Sequence, residues 1–300
     1  MIELGLHTDN WRPLGMSFEA SCDKIAAAGV KHLEFAVIHG QNFIQALGYD
    51  PGISLQTNPL ALRRYLENKG LRVTQIDGSY PMMGPSGSAF GVQYVQQTIR
   101  FAAEIGCPMV DTVDGALETP GMSRDEVFRV TCDNYAQCLP WAEDYGIVIN
   151  VEPHGPYTND PEFMLKLFRH FDSEHLRCNF DTGNTFIAGH DPQEYLATLR
   201  PYVTHLHIKD VSQELAASAR GEDTGIGSSV VPVGGGVNAD NIRKCIAFLH
   251  QTQWSGSVSI ECHGSDENTE ASVAWMREVI RFEGSSPAPT VRPTPLPPDP

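Results

Sequence analysis

A buried strand is predicted at residues 146–152, which read GIVINVE, because isoleucine and valine dominate the run that follows the glycine. That glycine ends a helical pattern that begins at Ser123. The same helix–glycine–strand junction recurs at Gly29, Gly70 and Gly106. Strands that alternate with helices across short junctions are typical of parallel sheets. The repeated junction therefore predicts an α/β protein.

Eight strand–helix units follow one another along the chain. The predicted strands are residues 2–7, 32–37, 72–77, 109–113, 146–152, 176–181, 203–208 and 257–261. The predicted helices are residues 17–28, 58–70, 91–105 and 123–145, two that begin at 160 and 191, and residues 238–251 and 268–281. Eight units of this length predict a single (β/α)8 TIM barrel. An open doubly wound sheet is the alternative, but no G-x-G-x-x-G follows the first strand.

The end of the barrel is predicted near residue 284. Seven of the 21 prolines lie in the last sixteen residues, which contain little that could be buried. Such composition is typical of an extended or disordered segment. We therefore predict a barrel over residues 1–284 and a disordered Pro-rich C-terminal tail over residues 285–300.

The composition excludes several classes of protein. The 300 residues carry a net charge of −16, which disfavours nucleic acids and anionic membranes as partners. No apolar run approaches the ~20 residues that span a bilayer, and the first residues lack the pattern of a signal peptide. The seven cysteines are scattered without a C-x-x-C pair and are expected to be reduced. We therefore predict a cytoplasmic protein without nucleic-acid or membrane partners.

Polar side chains stand where four consecutive predicted strands end, namely Glu152, Asp181, His207 and Glu261. In a barrel, the carboxyl ends of the strands converge on one mouth, where catalysis takes place. Three carboxylates that meet there repel one another unless a cation joins them. One imidazole and three carboxylates form a ligand set suited to Mn²⁺, Mg²⁺ or Co²⁺. A helix cap or an ion pair is the alternative role for any single one of these residues.

Two motifs extend this set, DTGN at residues 181–184 and HLHIKD at residues 205–210. Together with Glu152 and Glu261, they resemble the xylose isomerase-like barrel superfamily, and within it the sugar isomerase/epimerase branch. That branch includes ketose 3-epimerases, hydroxypyruvate isomerase and inosose dehydratase. The resemblance implies one divalent metal, most often Mn²⁺, held by Glu152, Asp181, His207 and Glu261. It also implies that the two glutamates carry the proton.

The chain departs from the ketose 3-epimerase pattern at three places. Asn184 stands where those enzymes usually have a histidine, His154 follows Glu152 at a spacing of two, and residues 212–238 form a long connection. A similar pattern occurs among barrels that act on 3-oxo-sugars, including epimerases and the metal-binding subunit of C-glycoside deglycosidases. The departures bear on the substrate more than on the fold.

The resemblance and the paired carboxylates predict a metal-dependent isomerase or epimerase of a keto-sugar or 3-oxo-sugar. The metal would stabilise the enediolate that forms when a proton beside the carbonyl is removed. The predicted catalytic residues are Glu152, Glu261 and His154, and the predicted substrate-binding residues are His7, Glu34, Lys209 and Arg220. For Lys209, an ion pair with Asp210 is the structural alternative.

Further contacts to the substrate are predicted with their alternatives. An apolar wall would be formed by Trp11, Phe35, Tyr80 and Phe186, which could equally be core residues. Asp111 and Asp114 are expected to be turn residues. The glycines at residues 234–236 could cradle a phosphate or form a flexible turn, and an unphosphorylated sugar is favoured because Arg220 is the only strong cation in that loop.

Other functions stay open at this point. One alternative is a lyase of the inosose dehydratase type, or the metal-binding subunit of a C-glycoside deglycosidase, which would require a second subunit. A non-catalytic sugar-binding barrel is an alternative of another class. The superfamily's abasic-site endonucleases are disfavoured by the acidic composition. The resemblance also implies a homo-oligomer.

Overall fold

A computed structural model describes residues 1–38, 52–115, 118–221, 227 and 229–284. The strands are β1 (Ile2–His7), β2 (His32–Ile38), β3 (Ile53–Ser54), β4 (Arg72–Pro81), β5 (Met109–Val113), β6 (Val148–Val151), β7 (Leu176–Asp181), β8 (Val203–Ile208) and β9 (Gly256–Ile260). The helices are α1 (Phe18–Ala27), α2 (Pro59–Asn68), α3 (Gly84–Ser86), α4 (Val92–Ile105), α5 (Arg124–Tyr145), α6 (Pro161–Phe171), α7 (Thr182–Ile187), α8 (Pro192–Leu199), α9 (Gln213–Ala219), α10 (Ala239–Gln251) and α11 (Asp266–Glu283).

Eight of these strands form a closed parallel barrel. The order runs β1, β2, β4, β5, β6, β7, β8 and β9, and β9 pairs with β1 to close the sheet. The short strand β3 pairs with the outer end of β2. The predicted (β/α)8 barrel is therefore confirmed, and all strand ends that carry the predicted site residues open on one mouth.

Side-chain caps start the helices where the sequence predicts them. The hydroxyl of Ser123 accepts from the backbone N–H of Glu126, and the Glu126 carboxylate accepts in return from the N–H of Ser123. Asn58, Asp160 and Asp191 cap α2, α6 and α8 in the same way, each followed by proline at the first helical position. These caps set where each chain segment leaves the barrel mouth and turns back.

Some elements differ from the prediction. Strands β6 and β9 end one residue before Glu152 and Glu261, and β4 continues to Pro81. Helix α9 lies within the connection at residues 212–238, so this long connection is partly helical. Helix α7 follows β7 directly. The predicted tail at residues 285–300 lies outside the described residues. Among the described helices, none has the length and apolar character needed to cross a bilayer.

The barrel lumen beneath the mouth contains a layer of polar side chains. Gln75 accepts a hydrogen bond of 2.5 Å from Asn150, and His205 lies 2.9 Å from the Asn179 amide oxygen and 3.3 Å from the Ser259 hydroxyl. All five side chains are buried. Such layers usually consist of branched apolar residues. The polar layer gives the site above it a hydrogen-bonded base, while the apolar core lies between strands and helices.

Candidate metal and catalytic site

The structure brings the four predicted metal ligands together. One ligand atom each from Glu152, Asp181, His207 and Glu261 lies within 4.8 Å of all the others. Parallel pairing sets this arrangement, because Asp181 is in register with His207 on the neighbouring strand. Glu152 and Glu261 follow β6 and β9, and their backbone N–H groups donate to Thr112 and Ile208. Each side chain therefore extends from a hydrogen-bonded strand end.

Asp181 has one oxygen in use and one oriented toward the cluster. Oδ1 caps α7 and accepts from the N–H groups of Gly183 and Asn184, at 2.6 and 2.7 Å. Oδ2 is buried, accepts no hydrogen bond, and lies 3.2 Å from Lys209 Nζ. Burial raises the pKa of Asp181 to about 7, against the opposing effect of Lys209. The second oxygen thus remains for a cation.

His207 lies between carboxylates on both sides of its ring. Nε2 is 3.0 Å from Glu34 Oε1, while Nδ1 is 3.3 Å from Glu152 Oε1 and 3.5 Å from Glu261 Oε2. Burial disfavours the imidazolium, but Glu34 and Glu152 outweigh it, so the pKa of His207 lies well above its usual value. In the neutral ring that binding of a metal requires, a hydrogen bond from Nε2–H to Glu34 leaves the Nδ1 lone pair facing the other carboxylates, as in metal-binding histidines.

Lys209 supplies positive charge to the same cluster. Its Nζ lies 2.9 Å from Glu261 Oε2 and donates to Asn184 Oδ1 at 3.3 Å. Burial opposes the ammonium, but Asp181 and Glu261 hold the pKa of Lys209 above its ordinary value. Although burial acts to raise it, the pKa of Glu261 lies well below the usual range because of Lys209 and His207. The ion pair with Asp210 considered for Lys209 is replaced by these two.

The donor set fits a divalent cation. Asp181 Oδ2 and Glu261 Oε2 are buried oxygens whose charge is met by the Lys209 ammonium and by the His207 nitrogen, which faces three carboxylates. Three carboxylates and one imidazole are hard ligands of the kind that bind Mn²⁺, Mg²⁺ and Co²⁺. A cation at this point would offset the repulsion among the carboxylates.

His154 is held at the mouth by a structured loop. Its backbone N–H donates to the Thr158 hydroxyl at 2.8 Å, and its half-buried ring leaves Nδ1 without a partner. Asp114 accepts from the N–H groups of Tyr157 and Thr158, at 2.7 and 2.9 Å. Burial, with Lys209 nearby, lowers the pKa of His154 to about 4. His154 is therefore a neutral imidazole at neutral pH.

The predicted substrate-binding residues separate into different places. His7 lies at the mouth, where its ring meets His207 edge-on with centroids 5.7 Å apart, and its Nε2 has no hydrogen-bond partner. Glu34 is fully buried behind His207, so the placement supports a positioning role rather than substrate contact. Lys209 lies within the cluster, where it contacts the ligands themselves.

Arg220 lies apart from this cluster. It is exposed, stacks on the Phe186 ring at 3.9 Å, and donates to the backbone carbonyls of Phe186, Gly189 and His190. It therefore binds the carboxyl end of α7, and this placement does not support a substrate contact. The aromatic wall does not form as one surface either, because Trp11 and Phe35 belong to the main core and Phe186 to a separate cluster.

Several further residues near the site were given no functional role in the sequence analysis. Asn184 Nδ2 donates to Glu152 Oε1 at 3.0 Å, and Asn179 lies 3.2 Å from His207 Nδ1. His263 is buried, and its Nε2 has no partner. Asp111, expected in a turn, lies inside β5, where both carboxyl oxygens are buried without a donor. Only Asn184 carried a signal, since it departs from the family pattern within the DTGN motif.

Comparison with known proteins agrees with this geometry. The sequence profile of the family described as xylose isomerase-like TIM barrel matches residues 22–279. The chain belongs to this family. The predicted resemblance is thereby confirmed at the level of the family. The matched residues include all four predicted metal ligands.

Individual relatives of this barrel are more distant. Inosose dehydratase from Clostridium botulinum (strain Alaska E43 / Type E3) is 24% identical over 155 residues, which are 48% of this chain and 52% of that protein. The chain thus spans about half the length of that curated relative. The fold of this chain is also similar to that of L-ribulose 3-epimerase, with a TM-score of 0.72 and 15% identity. The match covers 94% of this chain and 96% of the epimerase chain. The structure of IolI protein with a bound zinc atom matches with a TM-score of 0.73 and 15% identity. This match covers 95% of this chain and 100% of the IolI chain.

Proposed function

We propose that this barrel is a divalent-metal-dependent isomerase or epimerase of a keto-sugar or 3-oxo-sugar. The observation that carries the proposal is that two carboxylates approach the same atom, His207 Nδ1. Glu152 Oε1 lies 3.3 Å from it and Glu261 Oε2 lies 3.5 Å from it. Paired carboxylates at one metal site suit removal and return of a proton beside a carbonyl. The family membership and the epimerase among the similar folds are compatible with it.

Glu152, Asp181, His207 and Glu261 would hold the metal, with Mn²⁺ as the preferred ion and Mg²⁺ or Co²⁺ as alternatives. When bound, the metal would act as a Lewis acid for the negative charge that develops on the substrate oxygen. Glu34 orients His207, and Asn184 orients Glu152 through its hydrogen bond of 3.0 Å. These contacts keep the carboxylates in place before substrate arrives.

Glu261 serves as the proton acceptor in this proposal. The ammonium of Lys209, 2.9 Å from Glu261 Oε2, keeps this carboxylate in the ionised form that accepts a proton, although the same contact weakens it as a base. Glu152, in its protonated form, would serve as the acid that donates a proton on the other side for epimerisation or to the adjacent carbon for isomerisation. Exchange with solvent would then restore both carboxyl groups. His154, whose imidazole is neutral and whose Nδ1 has no hydrogen-bond partner, would assist at a substrate hydroxyl.

The test is turnover in D₂O by protein loaded with Mn²⁺, over a panel of ketoses and 3-oxo-glycosides, followed by NMR. We expect deuterium at the carbon beside the carbonyl, together with an epimer or an isomer. Glu261→Gln should abolish exchange, while Glu283→Gln, a change at the end of α11, should leave it intact. Absence of exchange with every member of the panel contradicts the proposal.

Elimination of water is the second candidate. It is favoured by His154, because a neutral imidazole with a free nitrogen can assist a leaving hydroxyl, and by the inosose dehydratase relative. The same D₂O experiment separates the two reactions when an inosose is added to the panel and the product masses are recorded by mass spectrometry. Loss of 18 mass units from an inosose, with no epimer of any ketose, would favour the lyase.

A further inference from the structure

Asp210 lies two residues after the end of β8 and is completely buried. Its Oδ1 accepts from the backbone N–H groups of Val211 and Asn238, at 2.8 and 2.9 Å. Its Oδ2 accepts from those of Gly234 and Gly236, at 2.9 and 3.0 Å. Four converging N–H groups of this kind form an anion-binding nest. Here a carboxylate of the chain itself fills that nest.

The nest lies where barrel enzymes commonly bind phosphate. That site is formed by the loops after the seventh and eighth barrel strands, together with a helix N-terminus. Strand β8 is the seventh strand of this barrel, and Asn238 is the N-cap of the thirteen-residue helix α10. The Asp210 carboxylate therefore has the donors that would otherwise bind a substrate phosphate.

The space around Asp210 is closed as well. A Cβ on Gly236 would lie 2.4 Å from both Asp210 Oδ1 and the Val211 carbonyl oxygen, and one on Gly234 would lie 2.5 Å from the Trp275 ring. Gly234 also has a φ of +92°, which favours glycine. The glycines therefore allow the backbone to approach the carboxylate closely, and the chain itself encloses the four N–H groups.

The cations beside this loop are already engaged. Lys209 pairs with Asp181 and Glu261, and Arg220 binds the carbonyls at the end of α7. Sugar phosphates are usually held by N–H groups together with lysine or arginine. Both parts of such a site are therefore satisfied within the chain.

We propose that Asp210 is a specificity-determining residue, a resident anion that fills the phosphate subsite of the barrel and restricts the enzyme to unphosphorylated sugars. This inference rests on the proposed function and adds the class of its substrate. The end of the substrate farthest from the metal site would then be recognised at the barrel mouth through the substrate's own hydroxyl groups. A sugar phosphate is rejected because it would bring a second anion against the buried carboxylate without free donors to bind it.

The first test uses the wild-type protein loaded with Mn²⁺. Deuterium exchange is compared between ketopentoses or ketohexoses and their terminal phosphate esters, and inorganic phosphate is titrated by calorimetry. We expect kcat/KM for the neutral sugar to exceed that for its ester by at least about 100-fold, as for a buried unpaired charge, with no heat from phosphate at millimolar concentration. Equal or faster exchange on the esters overturns the inference and leaves the proposed function standing.

The second test opens the nest. In Asp210→Gly the four N–H groups lose their acceptor, so inorganic phosphate should bind at millimolar concentration where wild type binds none. The control is Asp191→Gly, which removes an N-cap carboxylate from α8 but frees N–H groups outside a glycine loop. If Asp210→Gly does not fold, Asp210→Ala, which also removes the acceptor from the nest, gives the same reading. No phosphate binding to any folded variant contradicts the role of Asp210, even if no sugar shows exchange.

Discussion

Asn184 Nδ2 donates a hydrogen bond of 3.0 Å to Glu152 Oε1, and its Oδ1 accepts from Lys209 Nζ at 3.3 Å. One amide thus links a proposed catalytic carboxylate to the ammonium that neutralises the cluster. Both its donor and its acceptor are used in a fully buried position. A histidine, which ketose 3-epimerases usually have here, would place its donor and its acceptor on separate ring nitrogens rather than on one amide group.

We expect Asn184→Ala to lower kcat/KM by about 10- to 100-fold, because Glu152 loses its orienting donor and a buried lysine loses an acceptor. Metal content should stay unchanged, since no predicted ligand is removed. Asn241→Ala, which removes a partly buried amide on α10, is the control and should be close to wild type. Steady-state kinetics and metal analysis check this. Loss of metal together with activity would assign Asn184 to the metal site instead.

Asp181 and Asp191 allow metal binding to be separated from helix capping. Each caps a helix by accepting two backbone N–H groups, but only Asp181 faces the carboxylate cluster. We expect Asp181→Ala to abolish binding of Mn²⁺, and Asp191→Ala to retain one ion per chain while losing about 1 kcal/mol of stability. Metal analysis after reconstitution gives the answer. Full metal content in Asp181→Ala would contradict the ligand assignment.

Gly155 fixes the loop that carries His154. Its φ is +117°, and a Cβ there would lie 1.7 Å from Asp114 Oδ1. Gly146 also has a positive φ, of +65°, but nothing lies within 4 Å of its Cβ position. We expect Gly155→Ala to lower the free energy of unfolding by more than about 3 kcal/mol and Gly146→Ala by about 1 kcal/mol. Denaturant unfolding compares them, and equal losses would show that backbone conformation alone matters.

His205 predicts a pH dependence of stability. Burial lowers its pKa from 6.5 to about 4 in the folded protein. The unfolded chain therefore binds the proton first as the pH falls, so stability is lost between about pH 6.5 and pH 4. The loss from this group reaches up to about 3 kcal/mol. His205→Gln should unfold more easily at pH 7 but show a weaker decline toward pH 4.5.

Denaturant titrations at several pH values measure this decline. The control is His170→Gln, since His170 is exposed in the last turn of α6 and its removal should leave the pH dependence as in wild type. An unchanged decline in His205→Gln would mean that the paired carboxylates of the mouth, rather than this imidazole, determine acid sensitivity.

The barrel was predictable from local sequence, and so were the three carboxylates and the one imidazole at its mouth. Periodicity, glycine stops and capping residues such as Ser123 and Asp191 act within a few residues of each other, so they are visible along the chain. Residues at strand ends, such as Asp181 and Glu261, converge because every closed parallel barrel brings those ends to one mouth. No contact between distant residues needs to be known for either inference.

Side-chain partners across the barrel could not be predicted in this way. Lys209 pairs with Asp181 and Glu261 rather than with the adjacent Asp210, because the Asp210 carboxylate accepts four backbone N–H groups instead. Arg220 turned away to the end of α7 because three backbone carbonyls and the Phe186 ring lie within its reach. These partners lie about 30 to 50 positions apart along the chain, and nothing in the local sequence encodes their contact.

The sequence alone thus determined the fold and the residue types at the mouth of the barrel, since both follow from short-range periodicity and strand ends. Only the tertiary structure decided how those residues are used. It placed Glu34 behind His207, Asn184 between Glu152 and Lys209, and Asp210 in the glycine nest. The physical reason is burial, because each polar atom removed from water requires a partner, and packing of the whole barrel determines which partner is within reach.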